Sequence, residues 1–161
     1  IKFFDYECPY CKQSEKALNS IRAKFNDIVN IHYVHFPLKT HDYAYEAAIA
    51  AECARNQNKF KEYHDLLFEQ QDQLDARSWV GMAKEAGVKE IEVFRNCILN
   101  EDTQEIIENG LVLVKNLGIN RIPTLLINET LVVGALSKEK LENYIDKALS
   151  NKLDGNDLTT K

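Results

Sequence analysis

Cys8-Pro9-Tyr10-Cys11 places two thiols two residues apart. An apolar run, Ile1-Lys2-Phe3-Phe4-Asp5-Tyr6, precedes the pair, and a helical pattern follows it. A strand that gives way to a helix at this point puts Cys8 at the helix N-terminus. Free backbone N–H groups and the helix dipole stabilise negative charge there. The thiolate is the nucleophile of disulfide exchange, so Cys8 reads as the attacking cysteine. Pro9 suits the first helical position, where its missing N–H would have no partner. Cys11 lies one turn further in and is placed to close a disulfide with Cys8. The chemistry implied is reversible thiol–disulfide exchange, which calls for no cofactor and no metal.

The elements that must position this pair follow from pattern. Residues 1–6 read as a buried strand, and residues 9–26 as a helix with Ala17, Leu18, Ile21 and Phe25 on one side. Residues 28–36 read as a second strand, closed by Pro37, which cannot donate to a ladder. A helical region over 41–117 contains no proline and opens on an alanine-rich stretch from Ala44 to Ala54, of high helix propensity. Breaks are expected at Gln57-Asn58, Asp75, Gly87 and Asn100, with Asp75 capping a helix over 76–86 and Gly87 ending it. Gly118 ends the last helix of this block. Residues 125–127 and 131–133 form a hairpin around Asn128-Glu129-Thr130. Ser137 caps a final helix to about Ser150, and Asn151 to Lys161 form a polar, flexible tail. The result is an α/β unit over 1–39 and 118–150, interrupted by an inserted helical domain over 40–117, with the tail at 151–161.

Composition bounds the function. The chain has 161 residues, 45% hydrophobic and 28% charged, enough for one domain with a substantial core. A formal net charge of -5 argues against nucleic acid as a partner. No apolar stretch is long enough to span a membrane. The chain starts inside a strand-like run, so a signal peptide or an N-terminal oligomerisation segment is expected upstream of Ile1. The four cysteines, Cys8, Cys11, Cys53 and Cys97, fit an oxidising compartment.

Four stretches carry a resemblance. Phe3-Phe4-Asp5-Tyr6 with Cys8-Pro9-Tyr10-Cys11, then Phe36-Pro37-Leu38, Ala51-Glu52-Cys53-Ala54 and Ile122-Pro123-Thr124, resemble the bacterial DsbA-like thiol:disulfide oxidoreductases. That group includes DsbG-like and ScsC-like (suppressor of copper sensitivity) members. The likeness runs from Ile1 to about Ser150. It implies a thioredoxin-like fold with an inserted helical domain. It also implies periplasmic or secreted chemistry on cysteine-bearing protein substrates, with a membrane redox partner that recycles the site. By resemblance, Pro123 is a cis-proline facing the cysteine pair, and Ile122 beside it pairs with an extended substrate peptide. Pro9 and Tyr10 complete the substrate-binding set. A trans proline that merely begins a strand is the other reading of Pro123.

One position departs from the pattern. Six residues before the first site cysteine, relatives often carry a buried acidic residue; here stands Lys2. The expectation from the strand alone is a solvent-facing lysine. If it faced inward, its charge would favour the Cys8 thiolate, whereas nearby Asp5 and Glu7 would oppose it. Cys53 and Cys97 fall in separate predicted helices. They are either reduced core cysteines or, as in some members of the resembled family, a structural disulfide; sequence leaves both open. His32, His35, His41 and His64 have no tight ligand spacing and read as structural or surface residues. Phe60, Tyr63, Leu66, Leu67 and Phe68 repeat at helical period and read as core, with part of a substrate groove as the other reading; Trp79 also reads as core.

The functional expectation is therefore an oxidase or isomerase of disulfides in exported proteins. Isomerases of this kind join several sites through an added N-terminal segment, which would make the protein a homo-oligomer. A cytosolic glutaredoxin-like reductase is the first alternative, since Pro-Tyr also separates the cysteines of many glutaredoxins. A copper-handling dithiol protein is the second, because two thiolates make a soft ligand pair.

Overall fold

A computed structural model describes residues 1–25 and 28–155. The elements run β1 (Lys2–Phe4), α1 (Pro9–Lys24), β2 (Tyr33–His35), α2 (Ala44–Arg55), α3 (Phe60–Glu69), α4 (Trp79–Glu85), α5 (Ile91–Ile98), α6 (Glu101–Asn116), β3 (Thr124–Ile127), β4 (Thr130–Val133) and α7 (Lys138–Gly155). A single 3₁₀ turn, Gln71–Gln73, joins α3 to the segment before α4. The sheet order is β2-β1-β3-β4; β1 runs parallel to β2 and antiparallel to β3. The helices α2 to α6 lie in sequence between β2 and β3, where the inserted block was expected.

Strand parity decides which side chain goes where. Phe4 enters the core between the sheet and the inserted helices, with Tyr6, Leu67, Phe68 and Phe94. Phe3, its neighbour, points to the opposite face, against Val114 and Ile119. Lys2 has the parity of Phe4 and so shares its side of the sheet. The apolar face of α1 is the one read from the sequence: Ala17, Leu18, Ile21 and Phe25 pack with Leu125 of β3 and with Leu141 and Ile145 of α7.

Several boundaries differ from expectation. The second strand shrinks to three residues, Tyr33, Val34 and His35, in register with Lys2, Phe3 and Phe4. The first helix stops at Lys24 rather than 26; residues 26–27 lie outside the described ones. Ser78, not Asp75, caps α4: its hydroxyl accepts the Gly81 N–H at 3.3 Å. Gly87 does terminate that helix, at φ +80, with Val88 N–H reaching back to the Ala83 carbonyl at 2.9 Å. The hairpin turn is two residues, Asn128-Glu129, with Ile127 opposite Thr130 and Asn128 at φ +50. The final helix runs past Ser150 to Gly155, so the first part of the expected flexible tail is helical; residues 156–161 lie outside the described ones.

Candidate active site

Cys8 is the N-cap of α1, in extended backbone conformation (φ -74, ψ 116), with Pro9 at the first helical position. Its carbonyl accepts the Cys11 N–H at 3.0 Å. Both cysteines are free and buried: Cys8 is 5% exposed and Cys11 0%. Tyr10 between them is 65% exposed. The two cysteines differ in acidity. A hydrogen bond from the Cys11 thiol lowers the Cys8 thiol from its usual 9.0 to about 6, against the cost of burial, with backbone N–H groups of Cys11 and Tyr10 assisting. Burial first, then its bond to Cys8 and the charge there, drives the Cys11 thiol far up. One thiol is thus poised as a thiolate and the other held as its donor.

Ile122–Pro123 is a cis peptide, and Pro123 is buried. Tyr10, Ile122 and Pro123 border one surface depression, together with Gln13, Arg121 and Val133. The predicted substrate-binding residues other than Pro9 therefore meet on one face. Cys53 and Cys97 form a disulfide that ties α2 to α5, leaving Cys8 and Cys11 as the free pair.

Lys2 contradicts its expectation. It is fully buried, and its ammonium donates to Glu15 Oε2 at 2.7 Å and to the Cys11 carbonyl at 3.2 Å. The rings of Phe68 and Phe4 flank it at 4.8 and 5.1 Å. A lone ammonium would not be tolerated there; the partner is the carboxylate that α1 presents one turn after Cys11. Glu15 also accepts from the Tyr33 hydroxyl at 2.7 Å. Burial opposes its ionisation, but His64 and Lys2 outweigh that and hold its carboxyl far below the usual range. His64 is itself fully buried, and burial lowers it to about 4 against the pull of Glu15. The neutral ring lies 2.8 Å from the Tyr6 hydroxyl at Nδ1 and faces Glu15 with Nε2 at 3.3 Å.

Among the described residues, Glu15, His64 and Asp65 bring potential ligand atoms within 4.8 Å of one another. Glu15 Oε2 in that group is already bound to the Lys2 ammonium, at 2.7 Å. His35 is also buried, paired with Glu52 at 2.8 Å. Sequence reading did not single out Glu15, nor the partners of His64 and Asp5. The available signal was the spacing of Glu15, four residues after Cys11 and so on the same helix face. Gln71 was missed too: its amide donates to the carbonyls of Tyr6 and Cys8, at 2.6 and 3.0 Å, from the turn after α3.

Comparison with known proteins agrees with this geometry. The thioredoxin family model matches residues 1–147. The catalytic domain of Proteus mirabilis ScsC superposes with a TM-score of 0.77 at 25% identity, covering 92% of this chain and 81% of that one. A thioredoxin-like oxidoreductase from Silicibacter pomeroyi gives 0.74 at 25% identity, over 92% and 84%. A Na(+)/H(+) antiporter, NhaA 1 of Mycolicibacterium vanbaalenii, is 30% identical over 135 residues, which are 80% of this chain and 21% of the antiporter. The chain spans only 11–21% of the length of the first curated relatives it matches. The match across nearly every element, with the cysteine pair at the head of α1, assigns the chain to the thioredoxin family.

Proposed function

We propose that this chain is a thiol:disulfide oxidoreductase that oxidises or isomerises the cysteines of exported proteins through Cys8 and Cys11. The observation that carries the reading is the split between the two thiols, Cys8 lowered to about 6 and Cys11 pushed far up, at the N-terminus of α1. In the oxidising direction, a substrate thiolate attacks the Cys8 sulfur of the Cys8–Cys11 disulfide. The new bond joins substrate sulfur to Cys8, and Cys11 leaves and takes up a proton. A second substrate thiolate then attacks the substrate sulfur of that mixed bond, and Cys8 departs as a thiolate. The substrate has lost two electrons and two protons; the site has gained both electrons and one proton, on Cys11, and the other proton goes to solvent. In the isomerising direction, reduced Cys8 attacks a wrong substrate disulfide, and Cys11 releases a complex that stalls.

Stabilising the Cys8 thiolate stabilises the reduced site, which makes the disulfide oxidising. The Ile122–Pro123 depression beside Tyr10 is the proposed landing place of the substrate peptide. The Cys53–Cys97 disulfide supports an oxidising, periplasmic or extracellular compartment. A membrane redox partner would reoxidise the site, and an N-terminal segment would join copies if the protein isomerises. The antiporter relatives carry a similar segment within a much longer chain, which is compatible with action at a membrane surface.

Equilibration of Cys8–Cys11 in glutathione buffers tests the proposal. A potential near the oxidising end, about -120 mV, supports it; one near -270 mV points to a reductase and overturns it.

A further inference from the structure

Asp5 is 2% exposed and receives four donors. Its Oδ1 accepts the N–H groups of Glu7 at 2.7 Å and Cys8 at 3.1 Å. Its Oδ2 accepts the Leu38 N–H at 2.9 Å and lies 2.6 Å from His41 Nδ1. Leu38 and His41 belong to one turn, closed by the His41 N–H on the Leu38 carbonyl at 3.0 Å. That turn clamps the carboxylate from one side while the backbone leading into α1 clamps it from the other. The neighbouring acid, Glu7, is turned away: its Oε2 accepts the Tyr43 N–H at 2.6 Å.

We propose that His41 is a positioning residue for Cys8: acting through Asp5, it fixes the loop that presents the sulfur and offsets the carboxylate charge beside it. The inference rests on the reading of Cys8 as the exchanging thiol. Three features support it. The Asp5 carboxylate already spends Oδ1 on the Cys8 N–H, so any movement of Asp5 moves the backbone of the N-cap. Its charge opposes the Cys8 thiolate, working against the dominant hydrogen bond from Cys11. The His41 side chain is 24% exposed, while its ring nitrogen faces a fully buried carboxylate. Lys39 and Asp42 flank His41 on its own segment, and Asp5 and Glu7 face that segment from the Cys8 loop.

The test follows alkylation of Cys8 by iodoacetamide in the reduced full chain from pH 4.5 to 9, with the modified residue mapped by mass. In His41→Ala the Asp5 carboxylate loses one hydrogen-bond partner. The midpoint is expected to rise, and the rate at pH 5, below the midpoint, to fall by about threefold or more, the equivalent of half a pKa unit. His41→Gln, whose amide can still donate to Asp5, is expected to recover part of that loss. In an Asp5→Asn background, His41→Ala is expected to change nothing further. His41→Leu gives the same comparison if the alanine variant fails to fold. An unchanged midpoint in the alanine and leucine variants overturns the proposal, as does an equal shift in the Asp5→Asn background. Alkylation needs no disulfide substrate. Failure of the wild-type chain to exchange with glutathione would therefore overturn the functional reading while leaving this one to stand or fall by its own midpoints.

Discussion

Lys2 Nζ sits 2.7 Å from Glu15 Oε2, with side-chain exposures of 0% and 4%. The pair spans the central strand and the helix that carries both site cysteines. Lys2 also holds the Cys11 carbonyl, so the ion pair is fastened directly to the first turn of α1. Such a pair adds little net stability over apolar residues of the same volume, yet losing one member leaves a buried charge without compensation.

Glu15→Gln is therefore expected to destabilise by about 3–5 kcal/mol, read as the loss in urea unfolding free energy. The double variant Lys2→Met/Glu15→Leu should lose clearly less than that single change. A double variant as unstable as the single one would mean that Lys2 is not the group left stranded.

The reactivity of Cys8 should titrate near pH 6, with the sign fixed by the folded protein holding its proton less tightly than the unfolded chain does. Between about pH 6 and the ordinary thiol value of 9.0, the unfolded reduced chain binds a proton that the folded one has released. The stability of the reduced form from this group therefore rises as pH climbs through that window and is lost as pH falls through 6. The oxidised form has no such term. Urea midpoints of both forms at pH 5 and pH 8 check this: the reduced form should gain on the oxidised one at pH 8.

Cys53–Cys97 closes a separation of 44 residues. Replacing both by alanine should cost roughly 4 kcal/mol of stability on the chain-entropy estimate, while the glutathione potential of Cys8–Cys11 stays where it was. A loss under 1 kcal/mol would mean that α2 and α5 are held together by packing alone.

Gly110 lies in α6 where it crosses β2. A Cβ there would meet the His35 carbonyl oxygen and Val34 Cγ1, each at 3.2 Å. Gly110→Val should cost about 1–3 kcal/mol, since the backbone carbonyl cannot yield as a side-chain tip would. Gly110→Ala should cost less, because its higher helix propensity offsets part of the crowding.

Local signals made much of this protein legible before any coordinates. Cys8 at a strand-to-helix junction needs only its neighbours in sequence to be recognised, and the same is true of Pro9, Gly87, Gly118 and the alanines of α2. What escaped depends on partners far along the chain. Nothing near Lys2 says that a strand lysine is buried; that is decided by Glu15 on α1 and by the aromatic wall from α3. The reach of Asp5 to His41 spans 36 residues and crosses two elements. The second strand read too long because its extended propensity continues beyond the three residues that β1 can pair.

Cys8 as a residue is only 5% exposed, which has consequences for what can react with it. An incoming sulfur has to reach a residue that the surrounding protein almost covers, and a thiol anchored on a broad, rigid surface would meet that cover first. With Cys8 as the exchanging thiol, a slender, unfolded segment would reach it more readily than a completed globule would. Shape alone would thus sort partners by how far they have folded, before any side chain is recognised.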